Sequence, residues 1–290
     1  MAQYFSDREV GAPPRISEEI SASVWGALVG VVKSELNQNS FGLDFPSECP
    51  DGGAVDGNDW DNFSLLLRGE IRGLSWPLES DSVPDKYAIL DIVQFCFQHI
   101  AEPQQGYYHS FYRHHHLTFE REAGKIRFRQ SVNRIFGRNG IAFDLRESGD
   151  IVRLANPALQ PILAAAVFRT GDSTLDTLLE DSRRKFLDPS PTVRRDALEK
   201  LWDAWERIKT IESGEDKKQT TKIILDTAAS EPMFRELLEI DARELTRIGN
   251  KFRIRHSETD KVEIHEAMQV DYLFQRMFAI VMLLLSCHRS

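Results

Sequence analysis

Apolar positions recur at helical spacing over most of this chain and alternate only in its middle. Ile20, Val24, Leu28, Val31 and Val32 mark a first helix, with Ser17 as its capping side chain and Glu18 and Glu19 near its positive end. It ends near Asn37, and residues 39–58, rich in Gly, Pro and Asp, read as a loop. Trp60 to Ile71 and Ile89 to Ile100 read as two more helices. Leu117 to Arg121 then alternates like a strand, and Lys125 to Gly137 reads as a helix ending at Gly137-Arg-Asn-Gly140. Two short alternating runs follow, Ile141 to Leu145 and Ile151 to Leu154, with Glu147-Ser-Gly-Asp150 between them as a hairpin turn.

Strand, helix and hairpin in that order suggest a winged-helix-like unit. Beyond Asp172 strand signals nearly vanish. Ser173 to Phe186, a long helix beginning near Thr192, Thr220 to Ala228, Pro232 to Phe252 and Ala267 to Cys287 make about five helices. The pattern predicts a mainly α protein: an N-terminal α+β domain over residues 1–170 and a C-terminal antiparallel helical bundle over 171–290. Met277 to Leu285 is shorter than the ~20 residues of a membrane span and reads as a buried core helix.

Composition narrows the class. The 41% hydrophobic and 28% charged content is that of a globular chain. A net charge of −9 argues against non-specific coating of nucleic acid but leaves room for a local basic groove. Cys49, Cys96 and Cys287 are far apart and form no CxxC pair, which fits a reducing compartment and no disulfide framework. Met1 to Arg15 lacks the apolar core of a secretory signal. A cytoplasmic location and no membrane partner are therefore expected. P-loop, GxGxxG, HExxH and GxSxG motifs are absent.

The densest chemistry lies at residues 245–258, where Arg247, Lys251, Arg253 and Arg255 crowd beside His256 in an acidic chain. On a helix, Asn250, Arg253 and His256 share roughly one face. A histidine can move a proton near neutral pH, an arginine can hold phosphate oxygens, and an asparagine can orient the attacking group. With RNA the ribose 2′-hydroxyl serves as nucleophile, so neither metal nor cofactor is expected. Read blandly, the same segment is a solvated corner paired with Glu258, Asp260 and Glu263.

A polar-basic element ending in His, set between the last two long helices of such a bundle, resembles a HEPN domain. That resemblance covers roughly Asp172 to Ser290. It implies a metal-independent endoribonuclease of phage-defence or toxin–antitoxin type, built as a homodimer with its active site where two copies meet. His256 matches the family's histidine. Gly249, Asn250 and Lys251 stand where the family places its arginine, so Arg253 is assigned that role and Asn250 the polar partner, with Arg247, Lys251 and Arg255 binding substrate. An antitoxin or a phage-derived trigger is the expected partner besides RNA. Phe5-Ser-Asp-Arg8 and Ile135-Phe-Gly-Arg-Asn-Gly140 make the N-terminal part similar to the N-terminal domains of AbiJ-type abortive-infection proteins. The alternative is a non-catalytic sensor or adaptor whose bundle only dimerises.

Three other features compete. The basic helix carrying Arg127, Arg134 and Arg138 could face nucleic acid, or pair with Glu120, Glu122 and Asp144. His114 and His116 could chelate an ion from one strand face, with Glu120 or Glu122 as a third ligand; a polar surface strand is the simpler reading, and no metal is expected. Tyr107, Tyr108, Phe111 and Tyr112 read as core or interface, with base stacking as the alternative.

Overall fold

The computed structural model describes residues 4–155, 159–210, 217–252, 254, 262–264 and 266–288. It is mainly helical, with eleven helices among the described residues, an N-terminal α+β region and a C-terminal helical region, as the periodicity predicts. Two compact units divide the chain, Met1–Pro157 and Ala158–Ser290.

The N-terminal unit runs α1 (Phe5–Glu9), α2 (Ala22–Asn37), β1 (Pro46–Glu48), β2 (Val55–Asn58), α3 (Trp60–Glu70), α4 (Lys86–His99), β3 (Glu102–His109), β4 (His114–Glu120), α5 (Arg121–Arg138), β5 (Phe143–Leu145) and β6 (Ile151–Arg153). Helix α2 starts later than its sequence suggests. Ser21 is the cap, its Oγ accepting from the Val24 N–H. Ser17 instead forms a parallel bridge with Ile141. The region read as a loop contains β1 and β2, whose strands are short and carry Gly, Pro and Asp. Strand β3 is also unannounced, because none of its residues is buried, most are exposed, and they show no apolar alternation.

The antiparallel sheet has the order β1-β2-β4-β3, and β5-β6 is a separate hairpin. The strand, helix and hairpin of the winged-helix-like pattern occur in order, but the strand belongs to the four-stranded sheet. Trp25, Leu28, Val32, Phe63, Ile89, Val93, Phe128 and Val132 build one core among α2, α3, α4 and α5. Burying each such side chain contributes about 1.5–3 kcal/mol. Helix α5 enters against Ala101: a Cβ on Gly124 would lie 2.5 Å from the Ala101 carbonyl carbon, so only glycine fits there. Glu35, 5% exposed, accepts from Ser40 Oγ at 2.6 Å and from Arg127 at 2.6 Å, and Arg127 also pairs with Glu102. That network ties α2 and α5 to the start of β3.

The C-terminal unit holds α6 (Gln160–Ala165), α7 (Ser173–Phe186), α8 (Pro191–Ile208), α9 (Lys217–Ala228), α10 (Pro232–Lys251) and α11 (Ala267–His288). Leu175, Leu179, Ser182 and Phe186 bury one stripe of α7 against α8. Asp172 caps α7 by accepting from the Leu175 N–H at 2.8 Å. Helix α11 is long and apolar enough over Ala267–Cys287 to cross a membrane, and half of its apolar window is buried in this chain. Phe274, Met277, Phe278, Val281 and Leu284 are in that buried half, and Phe274 stacks on Phe186 at 3.7 Å.

Candidate functional site

Two places gather reactive side chains. The first is the C-terminal end of α10. Leu238, Ala242, Leu245, Ile248 and Gly249 form its buried side. Gly249 lets the last turn lie on α8: a Cβ there would fall 2.3 Å from Trp202 Nε1. The Trp202 indole N–H donates to the Leu245 carbonyl at 3.1 Å, and Trp205 donates to Thr246 Oγ1 at 3.3 Å. Two anchored indoles therefore fix how this turn is presented.

The outward side carries three of the predicted residues. Arg247, Asn250 and Lys251 are exposed. Arg247 hydrogen-bonds Glu244, which holds that carboxyl below its usual range. The helix leaves at Phe252, which bridges in parallel to Val262. The Val262 N–H donates to the Lys251 carbonyl at 3.4 Å. The chain thus departs and returns at one spot. Arg195 of α8 reaches Glu263 at 2.8 Å beside it. Arg253, Arg255 and His256 lie outside the described residues.

On the exposed side of α10 an apolar stripe, Met233, Leu237 and Ile240, leads at helical spacing toward Arg247 and Lys251. A cleft of about 640 Å³ borders the exit of α10, lined by Phe252, Val262, Ile264, Met268, Tyr272 and Leu273 among others.

The basic helix α5 is only partly available to a ligand. Arg127 bridges Glu35 and Glu102. Arg138 pairs with Asp7 at 2.8 Å and lies over the Tyr4 ring. Arg134 is exposed.

The second place is the outer end of the four-stranded sheet. His114 and His116 lie two apart on β4 and share a face, while His115 turns the other way to Gly106 and Tyr108. His109 pairs directly across from His114 in the β3–β4 ladder, so it joins the same face. The β1–β2 turn then brings in Cys49, 2% exposed, and Asp51. Donor atoms of Cys49, His114 and His116 lie within 4.8 Å of one another, and so do those of Cys49, Asp51 and His109. Glu120 and Glu122, the third ligands anticipated from sequence, are engaged elsewhere, with Gln104 at 3.1 Å and Lys125 at 4.0 Å.

In the sequence His109 stands out beside His114, His115 and His116 as a possible ligand, but neither Cys49 nor Asp51 does. The usable signal for those two was weak: a Cys just before Pro-Asp-Gly-Gly. The nearby aromatics are not core; Tyr107 is 70% and Phe111 80% exposed.

No curated protein and no solved structure matches this chain. A model of the AbiJ N-terminal domain 4 family matches residues 3–167, which takes in the whole sheet, the core around Trp25 and the basic helix α5. That match spans more than half of the 290 residues, and the chain therefore belongs to the AbiJ N-terminal domain 4 family, a membership that points to a role in abortive-infection defence.

Proposed function

We propose that this protein is a metal-independent endoribonuclease of abortive-infection defence, acting in the cytoplasm through a HEPN-like C-terminal unit. The ribose 2′-hydroxyl attacks the adjacent phosphorus and the 5′-oxygen leaves, giving a 2′,3′-cyclic phosphate. His256 takes the 2′-hydroxyl proton or returns one to the leaving oxygen. Arg253 holds the non-bridging oxygens, where negative charge grows in the transition state. Asn250 orients the hydroxyl, and Arg247, Lys251 and Arg255 grip neighbouring phosphates.

The observation that carries this reading is the outward side of α10. Its apolar stripe, Met233, Leu237 and Ile240, continues into exposed Arg247 and Lys251, with Asn250 alongside. A second copy packed stripe against stripe would cover the apolar residues and set two basic ends together, the arrangement a composite active site needs. The anchoring of that turn by Trp202 and Trp205 supplies the rigidity that positioning requires.

The test is cleavage of structured and unstructured RNA in magnesium-free buffer containing EDTA. Cyclic-phosphate products from the wild type, lost in His256→Ala, are expected. Intact RNA at high protein concentration, or undiminished cutting by His256→Ala, counts against the proposal. The exposed Arg134 on α5 favours a second reading, a nucleic-acid-binding sensor without catalysis. Binding that survives His256→Ala and is lost in Arg134→Glu would distinguish it.

A further inference from the structure

We propose that the N-terminal unit holds a zinc ion, or another borderline-soft divalent cation, through Cys49, His114 and His116, with the His109–Asp51 pair facing the fourth position. This goes beyond the RNA-cleavage reading and does not depend on it.

The geometry is that of a built ligand set. The Nε2 atoms of His114 and His116 are buried, with no hydrogen-bond partner among the described residues. A buried ring nitrogen without a partner is costly, and ligation is one way to satisfy it. The imidazole centroids of His109, His114 and His116 form a near-equilateral triangle, 5.6, 5.7 and 5.8 Å on its sides. Two imidazoles bound to one tetrahedral zinc at about 2.0–2.1 Å would place their centroids about 5.2 Å apart, against 5.7 Å for the ligand pair His114 and His116. These two rings are thus already near their liganded spacing.

The outer partners fit as well. Asp56 Oδ2 lies 3.5 Å from His114 Nδ1, on the ring nitrogen away from the unpartnered Nε2. A carboxylate behind a ligating histidine fixes its tautomer and ring orientation. His109 is held apart from the ligand set, its Nε2 2.7 Å from Asp51 Oδ2 and its Nδ1 accepting from the Tyr112 N–H at 3.5 Å, so this pair faces the fourth position. Thiolate and imidazole donors select zinc-like ions over magnesium or calcium, which take oxygen ligands.

The ion would join the tips of two hairpins. Cys49 and Asp51 come from the β1–β2 turn, tightened by the Gly52 N–H donating to the Cys49 carbonyl at 2.7 Å. The histidines come from the β3–β4 hairpin, whose turn needs a positive φ of 58° at Arg113. Cross-linking two otherwise exposed tips is the work of a structural site.

The test is a cobalt titration of the full chain after dialysis against EDTA. One Co²⁺ per chain, with a thiolate-to-cobalt charge-transfer band that zinc abolishes, is expected. Cys49→Ser should lose that band, and His116→Ala should weaken cobalt binding at least about 100-fold. Asp56→Asn, which touches only the outer partner, should weaken it about tenfold. His115→Ala, on the opposite face, should bind within about twofold of wild type. Zinc should also raise the melting temperature of the metal-free chain. Absence of the charge-transfer band in the wild type overturns the proposal whatever the variants do. So does its persistence in Cys49→Ser, or a loss in His115→Ala as large as in His116→Ala.

Discussion

The end of α10 and the outer end of the sheet concentrate reactive groups by opposite routes. At α10 the residues are neighbours in sequence, and those described, Arg247, Asn250 and Lys251, are presented by a single helix. In the sheet, Cys49 and His116 stand far apart in sequence and meet because β2 and β4 pair. A contiguous site announces itself in the chain while leaving its geometry open. An assembled site is silent in the chain, yet once the strands pair its geometry is largely fixed.

If the two sites are separate, each can be broken alone. The largest effect is expected from His256→Ala, which should lower RNA cleavage about a thousand-fold while leaving bound cobalt or zinc unchanged. Cys49→Ser should do the reverse, and parallel assays of metal content and cleavage would show whether the two losses separate. Equal losses of both properties in either variant would sink the separation.

Next comes the support beneath the sheet. Arg127→Ala leaves Glu35 buried without its cation and should destabilise the N-terminal unit by about 3–5 kcal/mol, read from urea unfolding. A loss below about 1 kcal/mol would mean that the network with Ser40 and Glu102 contributes little.

The corresponding support in the C-terminal unit is Gly249. Gly249→Ala drives a methyl into the Trp202 indole, which is 1% exposed and hydrogen-bonded, so it cannot simply swing away. A cost of about 1–3 kcal/mol is expected, with a fall in cleavage beyond what lost stability explains. Unchanged melting and activity would show that the last turn of α10 tolerates movement.

The smallest effect is electrostatic. Burial pushes the Asp44 carboxyl up, but hydrogen bonds from Arg121 and His99 pull it further down, so it sits below its usual value. A depressed carboxylate contributes stability above its unfolded pKa and loses it as pH falls through the folded one. Asp44→Asn should therefore cost about 1 kcal/mol at neutral pH and flatten the stability profile below about pH 4. A profile as steep as wild type there would remove Asp44 from the acid response.

How legible the chain was depended on what carried the signal. Helices α3, α4, α7 and α10 were readable because each buries one stripe of its own residues. The hairpin β5–β6 was readable from its alternation around Glu147-Ser-Gly-Asp150. Strands β1 and β3 were not, because edge position and exposure removed the apolar alternation that marks a half-buried strand, and β2 was not, because Val-Asp-Gly-Asn carries a single apolar residue. The helix start was misplaced from Ser21 to Ser17 because both serines precede apolar positions, and only the bridge to Ile141 assigns Ser17 elsewhere.

By itself the sequence determined the class, mainly helical with an α+β first part, and the place of the basic element ahead of the last helix. Both follow from short-range periodicity and local charge, which each segment carries on its own. Tertiary structure alone decided that Arg127 bridges Glu35 and Glu102, that Gly249 seats α10 on Trp202, and that Cys49 joins His109, His114 and His116. Those depend on which side chains meet across non-local pairings, and no local pattern encodes such a meeting.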